Sequence, residues 1–333
     1  MVQAESLQGM QMKLSNDFFL LPQVIYKDDP YYKQESEQEI RQLIEGNLFD
    51  AEMFEYTNYS TRGLGIIREG DDTALFGYFE TLNDTNGAKD FFNKLESWAT
   101  KVGATKIIGP INFTTYLGYR IKLNHFDKKP FLGEPYNKDY YQKILESAGY
   151  SIEQYYHSYR AVDFPDEYYK YSKFIQEHKS TEFSVEKLDA NVWGKYINEF
   201  YRFIDQTFKL NKFYYQIPTE VFNLYYGARF AEMIDSDTSR VIFDNKGRVG
   251  AFTLMFKDNQ GTMLIKTVGV HPQYQKNNLF NLLLADILGT FKENYNEVIA
   301  CLVQQGGITD NYIKTFHTAN KTNYACFSKQ LKI

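Results

Sequence analysis

Val268-Gly-Val-His-Pro-Gln-Tyr-Gln-Lys-Asn-Asn-Leu-Phe280 runs directly into Asn281-Leu-Leu-Leu-Ala-Asp-Ile-Leu-Gly-Thr-Phe291. An apolar strand stops at a proline and a short polar loop follows. A helix then begins whose residues Leu279, Leu283, Ile287 and Phe291 recur every four positions, with Leu284 and Leu288 widening the stripe. A strand, loop and helix in this order aim backbone N–H groups and a helix N-terminus at one point. That arrangement holds a phosphate without requiring basic side chains.

Three short strands precede this stretch: Arg240–Phe243, Val249–Phe256 and Thr262–Val268. The segments between them, Asp244-Asn-Lys-Gly247 and Lys257-Asp-Asn-Gln-Gly261, carry hairpin turn chemistry. An apolar strand, Val298–Val303, follows the helix. Meander, loop, helix and parallel strand predict an α/β fold of the α+β kind with a mixed sheet and a crossover connection.

The same order occurs earlier. Glu52–Tyr56, Gly63–Arg68 and Ala74–Glu80 read as strands, a helix carries Phe91, Phe92, Leu95, Trp98 and Ala99, and a strand follows at Lys106–Ile108. A constant offset of 192 pairs Gly77 with Gly269, Phe91 with Leu283, Leu95 with Ile287 and Ile107 with Ile299. Two related domains are expected, over residues 1–165 and 183–333, with a connector at 166–182. The first-half counterpart of the polar loop, Asn83-Asp-Thr-Asn-Gly-Ala88, is acidic and would repel a diphosphate, so ligand binding is expected in the second half only.

At 333 residues with 43% hydrophobic and 24% charged content, the chain has ordinary globular composition. A net charge of −5 and a pI near 5.7 argue against a nucleic-acid partner, which needs a concentrated basic surface. The two cysteines, Cys301 and Cys326, form no CxxC pair, the opening Met-Val-Gln-Ala-Glu-Ser-Leu-Gln has no signal-peptide pattern, and no apolar run could span a bilayer. The expectation is a soluble, cytoplasmic protein without a membrane partner. Composition leaves the oligomeric state open.

Several blocks resemble a bacterial family of tandem GNAT proteins, within the superfamily of acyl-CoA N-acyltransferases. They are Asn16-Asp-Phe-Phe-Leu-Leu-Pro-Gln-Val-Ile-Tyr-Lys-Asp-Asp-Pro30, Phe76-Gly-Tyr-Phe-Glu80, Ile108-Gly-Pro-Ile-Asn112, Glu134-Pro-Tyr-Asn-Lys-Asp-Tyr-Tyr141, Leu145-Glu-Ser-Ala-Gly-Tyr150 and Asn323-Tyr-Ala-Cys-Phe-Ser-Lys-Gln-Leu331. The loop itself resembles the superfamily's coenzyme A diphosphate loop, Gln/Arg-x-x-Gly-x-Gly/Ala after Val-x-Val-x-Pro. The resemblance implies two tandem GNAT-like domains with an acetyl-CoA or other acyl-CoA co-substrate in the second. Its binding residues would be Val268, Gly269, Val270, Gln275, Lys276, Asn277, Asn278, Leu279, Phe280 and Asn311.

Two positions depart from the pattern. Asn278 stands where the loop has its first glycine, and Asn is the other residue that readily turns left-handed. Phe280 stands at the second small position, where its ring either lies along the helix or fills the site. The resemblance also points to Tyr312 as the proton donor to the leaving thiolate, although most of the 28 tyrosines must serve in packing. His271 has a suitable intrinsic pKa for a base, but as the residue before Pro272 it reads as a surface position. Glu80 reads as a solvated strand-end carboxylate.

Other chemistries find no pattern. The five histidines are scattered without metal spacing, no metal is expected, and no Walker loop or GxSxG occurs. The expected activity is acyl-CoA-dependent N-acyl transfer, an acetyltransferase reaction on a small amine or amino-acid-like acceptor. The aromatic segments Tyr201–Phe208 and Phe213–Tyr226 are expected to wall the acceptor cleft. The alternatives are a catalytically inactive GNAT-fold binding module and a Fem-type aminoacyltransferase.

Overall fold

The structure is a computed structural model that describes residues 12–177, 182–258, 260–313 and 320–332. The opening residues 1–11, His178, Asn259, His317 and the side chain of Tyr312 lie outside the described residues. The chain forms two compact units, each discontinuous in sequence. The first comprises Met1–Ile121, Pro135–Glu153 and Cys326–Ile333; the second comprises Lys122–Glu134 and Gln154–Ala325. The division expected at residues 166–182 does not coincide with this partition. Its described part instead forms a helix of the second unit, Asp166–Glu177, and Cys326–Ile333 belong to the first.

In the first unit, helices α1 (Asn16–Ile25) and α2 (Glu37–Glu45) precede an antiparallel meander, β1 (Ala51–Thr57), β2 (Thr61–Arg68) and β3 (Thr73–Thr81). Ser15 and Ser36 cap the two helices, each accepting a hydrogen bond from a first-turn N–H at 3.3 Å. Helix α3 (Thr85–Lys101) then crosses to β4 (Lys106–Gly109), which runs parallel to β3. It buries Ala88, Phe91, Phe92, Leu95 and Ala99; of the stripe read from sequence, Trp98 alone is only half-buried. The helix can lie this close because β2 carries Gly63 and Gly65 beneath it. A Cβ at Gly63 would stand 2.4 Å from the Phe91 ring, and one at Gly65 would stand 2.7 Å from both Leu95 and Trp98. The unit continues through Ile121 of the two-residue β5 (Ile121–Lys122), then α4 (Tyr141–Ser147) and the first residues of β6 (Ser151–Ala161).

The second unit takes the rest of β6, then α5 (Asp166–Glu177) and β7 (Phe183–Lys187). Helices α6 (Ala190–Lys195), α7 (Ile197–Phe208), α8 (Thr219–Tyr226) and α9 (Ala228–Ala231) follow. Next come β8 (Arg240–Asp244), β9 (Val249–Lys257) and β10 (Thr262–Val270), antiparallel in sequence order from β7. Helix α10 (Leu279–Asn294) crosses to β11 (Glu297–Gln304), parallel to β10 and antiparallel to β6. Helix α11 (Ile308–Ile313) and β12 (Asn320–Gln330) complete the chain. The last residues of β12 pair with β4 of the first unit, Phe327 opposite Gly109 through Gln330 opposite Lys106.

The apolar face of α10 meets β9, β10, β11 and α5 in a cluster that includes Met255, Met263, Leu284, Ile287, Phe291 and Val298. The aromatic α7 and α8 serve largely as core. Phe200 and Phe203 pack on Phe252 at 5.3 and 5.1 Å, and Trp193 stacks on Phe200 at 4.6 Å. Phe203 and Phe222 are buried, which removes them from the acceptor-cleft walls expected from sequence. No helix among the described residues is long and apolar enough to cross a membrane.

Glycine is a steric requirement at Gly63. We therefore expect Gly63→Val to lower stability by about 1–3 kcal/mol through overpacking beneath α3, measured by denaturant unfolding. A neutral effect would show that α3 does not press on β2.

Candidate functional site

In the second unit the parallel ladder is short. β10 and β11 pair from Thr262 opposite Glu297 to Ile265 opposite Ala300, and no further. Both strands break register just beyond this point, β10 between Ile265 and Thr267 against β9, and β11 between Ala300 and Val303 against β6. Bulges turn strands away from one another. In β11 the break includes Leu302 at φ +57°, whose N–H donates to Ser158 Oγ at 3.0 Å. From Thr267 to Val270, β10 pairs with β9 on one side, and the β11 ladder on the other side does not extend to these residues. Two parallel strands thus open into a V at mid-sheet, with backbone donors and acceptors along the rim.

Val268, Gly269 and Val270 line the β10 arm. Val270 packs against the cluster around Ile242, Ala251 and Leu283. Gly269 is buried because Phe203 covers it, and a Cβ there would lie 2.9 Å from that ring. The strand then enters an eight-residue connection, His271 to Asn278. His271 N donates to Gly250 O at 2.9 Å, and its Nδ1 accepts from Gln273 N at 3.2 Å, capping the single 3₁₀ turn Pro272–Tyr274. With Nδ1 accepting, Nε2 carries the hydrogen that is donated to Gln206 Oε1 at 2.6 Å. Burial and the nearby Arg248 guanidinium lower the pKa of His271, so its ring is neutral and structural near neutral pH.

Tyr274 anchors the middle of the connection. Its hydroxyl donates to Asp244 Oδ2 at 2.6 Å and accepts from Arg248 Nη2 at 2.8 Å, and Arg248 pairs with Asp244 at 2.6 Å. Asp244 also accepts backbone N–H bonds from Lys246 and Arg248 at 2.9 Å. Its carboxyl is held far below the usual range: these hydrogen bonds outweigh the opposing effect of burial. Arg248, 48% exposed at the side chain, places a cation beside the loop. Sequence reading took Asp244–Gly247 as a plain turn and missed this triad.

Gln275, Lys276, Asn277 and Asn278 are exposed. Asn278 adopts the left-handed conformation, φ 59° and ψ 23°, and its side chain makes no capping bond to the first turn of α10. Leu279 is buried against Ile242 and Ala251. Phe280 is half-buried and packs against the α10 core cluster. Asn311 is exposed on α11, and the α11 backbone carries Tyr312. The turn into α11 is set by buried Asp310, which accepts from Tyr159 hydroxyl at 2.9 Å and Gly306 N at 3.0 Å.

The first unit builds the same elements to a different end. β3 and β4 pair from Thr73 opposite Lys106 to Leu75 opposite Ile108, and the space beyond is filled by the chain itself. Ile111 N donates to Phe76 O at 2.7 Å, Asn112 Oδ1 accepts from Tyr78 N at 2.7 Å, and a Cβ at Gly77 would lie 2.6 Å from Ile111 O. Three residues, 82–84, join strand to helix here instead of eight. The helix N-terminus is occupied by Asp84, which accepts from Asn86 N at 3.1 Å and Ser60 Oγ at 2.8 Å. A carboxylate already fills the place of an anion.

The repeat is therefore not gapless. Paired strand residues correspond as Ala74 to Leu264 (190) and Ile107 to Ile299 (192), while the helix caps correspond as Asp84 to Asn278 (194). The constant offset of 192 hides an insertion in the loop.

Glu80 corrects a second expectation. It accepts from Tyr26 hydroxyl at 2.8 Å and Tyr141 hydroxyl at 2.5 Å. Nearby, fully buried Arg62 donates to Phe18 O at 2.8 Å and to Glu35 at 2.5 Å. Burial pushes the Glu80 carboxyl up to about 7 against the pull of Arg62. Its partners lie far away in sequence, so nothing local signalled them.

These elements have counterparts among solved structures. A tandem GNAT protein from the clavulanic acid biosynthesis pathway matches with a TM-score of 0.51 at 9% identity, over 95% of this chain and 94% of its own. A conserved protein from Enterococcus faecalis V583, described as a probable N-acyltransferase, gives 0.54 at 10% identity over 95% and 69%. The chain has a tandem GNAT fold. No family model matches this tandem GNAT chain. Protein YghO of Escherichia coli (strain K12) is 30% identical over 83 residues, which is 25% of this chain and 21% of that protein. Among the described residues no group of three or more His, Cys, Asp or Glu is placed to hold a metal.

The Glu80 assignment makes a pH-dependent prediction. In the unfolded chain Glu80 ionises near the ordinary glutamate pKa of about 4.3, while in the folded protein it resists ionisation up to about 7. Its protonated form favours folding at low pH, and that contribution is lost as pH rises across this window. We expect wild type to lose stability relative to Glu80→Gln between those pH values, with a constant difference above them. A flat difference in denaturant midpoints would mean that Glu80 is solvated.

Proposed function

We propose that the second unit is an acyl-CoA-dependent N-acyltransferase, most simply an acetyltransferase, acting on the amine of a small molecule. The observation that supports this most directly is the V between β10 and β11, opening beside an exposed loop whose Asn278 is left-handed and uncapped. The residues present fit the co-substrate. The exposed backbone of Gln275–Asn278 and the N-terminus of α10 suit the diphosphate, with Arg248 and Lys276 as nearby cations. The β10 edge from Thr267 to Val270, beyond the β11 ladder, suits the amides of a pantetheine arm. The ring of Phe280, turned to the α10 core, leaves the loop backbone accessible. Asn311 on α11 is assigned to the same site.

Acyl-CoA, when bound, supplies an activated thioester carbonyl. A backbone N–H on the Val268–Val270 edge is assigned to polarise that carbonyl, and the Tyr312 hydroxyl is assigned to donate a proton to the leaving sulfur. The acidic balance of the chain favours a small acceptor over nucleic acid, and the sequence favours a cytoplasmic setting.

Acetyl-CoA at ~100 times its Kd should stabilise the protein by about 2.7 kcal/mol and raise the unfolding midpoint by a few degrees. Asn278→Gly and Phe280→Leu should keep that shift, while Asn278→Val, forced from a left-handed backbone, should lose most of it. Tyr312→Phe should slow release of free thiol from acetyl-CoA by ~10-fold or more and leave the shift intact. Neither stabilisation nor thiol release across a broad amine panel would sink the reading.

A further inference from the structure

Beside the V, on the sheet face away from α10, the second unit carries a shallow surface recess that encloses only about 10 Å³, room for about one water. Its lining includes Ile299 of β11, which pairs with Leu264 one step before the parallel ladder ends. The neighbours of Ile299 point the other way: Val298 packs in the α10 cluster and Ala300 packs with Ile313 of α11. Ile299 thus stands one residue before the gap beyond Ile265 and Ala300 and also lines this recess.

The charge here opposes that of the whole chain. Lys122, Lys128, Lys129 and Arg160 line the pocket with one carboxylate, Glu134. Glu134 is matched: it lies 3.2 Å from Lys122, both side chains are 4% exposed, and it also accepts from the Tyr324 hydroxyl. Arg160 is paired with Glu297 of β11. Lys128 and Lys129 make no ion pair among the described residues. A buried ion pair forms the floor, and two uncompensated ammonium groups stand at the mouth. The same segment reaches β10, where Lys266 Nζ donates to Leu132 O at 3.0 Å. It is thus fixed to the strand that forms the rim of the V. A cationic recess on a fixed segment suits a small anion and disfavours a free cation.

We propose that the acyl acceptor bears an anionic group, a carboxylate or a phosphate, in addition to its amine, and that Lys128 and Lys129 bind it at this pocket with Arg160 alongside. The proposal rests on the acyl-transfer reading and narrows it to amino acids or amino phosphates. The fixed anion would orient the amine toward the opening between the strands, and its attraction would weaken with added salt.

The test uses the full chain with acetyl-CoA and four acceptors: glycine, glycinamide, 3-aminopropyl phosphate and 3-aminopropanol. Thiol release should favour at least one anionic amine over its neutral counterpart by 10-fold or more in kcat/KM. A preference for glycine would identify the carboxylate as the anion, and a preference for the aminopropyl phosphate would identify the phosphate. The double variant Lys128→Ala, Lys129→Ala should raise KM for the favoured anionic acceptor by 10-fold or more. It should leave turnover of the neutral amine and the acetyl-CoA-induced thermal shift unchanged. Equal use of charged and neutral amines, or an unchanged KM in the double variant, overturns this proposal and leaves acyl transfer standing. Absence of both turnover and acetyl-CoA stabilisation overturns both.

Discussion

Everything proposed for this protein depends on where one parallel ladder stops. Backbone groups leaving a sheet interior must find partners or face a cavity. In the second unit β10 and β11 abandon each other after Ile265 and Ala300, and each does so through an irregularity against its other neighbour. The outer pairings hold the arms apart, so the gap is a fixed property of the sheet rather than frayed strand ends. In the first unit the equivalent parting is healed by Ile111 and Asn112, which satisfy Phe76 O and Tyr78 N. One architecture serves in one case as a cleft and in the other as a sealed scaffold.

The helix N-termini follow the same division. Where α3 begins, Asp84 supplies a permanent negative charge to the end of the helix dipole. Where α10 begins, Asn278 contributes a backbone turn and no charge. The difference is one carboxylate and five loop residues, and the proposed diphosphate site in the second unit rests on it. Tyr274, held to Asp244 and Arg248, keeps the longer loop ordered without filling it.

Much of this was legible in the sequence, for identifiable reasons. Strands, turns and the two crossover helices declare themselves through local periodicity, and the stripes at Phe91–Ala99 and Leu279–Phe291 lie where the pattern put them. The left-handed turn at Asn278 follows from the residue type. The bulges were not legible, because they arise from competition between two neighbouring strands and leave no mark on either. Glu80 was misread for a related reason: its environment comes from Tyr26, Arg62 and Tyr141, and a strand-end glutamate looks the same whether solvated or enclosed. The gapless repeat failed because a loop insertion was offset by shorter spacing elsewhere, so a single offset fitted residues that are not equivalent. The pocket cations Lys122, Lys128 and Lys129 were visible as residues but carried no meaning until the fold brought Arg160 and Ile299 beside them.

The split membership of β12 bears on how the protein is made. Phe327–Gln330 provide the strand that flanks β4 in a unit whose other elements all precede them in the chain. Until those residues are made the edge of β4 is unfilled, and an exposed edge is a template for the wrong partner. Loss of Phe327–Gln330 would therefore damage the first unit as well as the second. Quality control in the cell would then sense the state of Phe327–Gln330 through the solubility of the first unit.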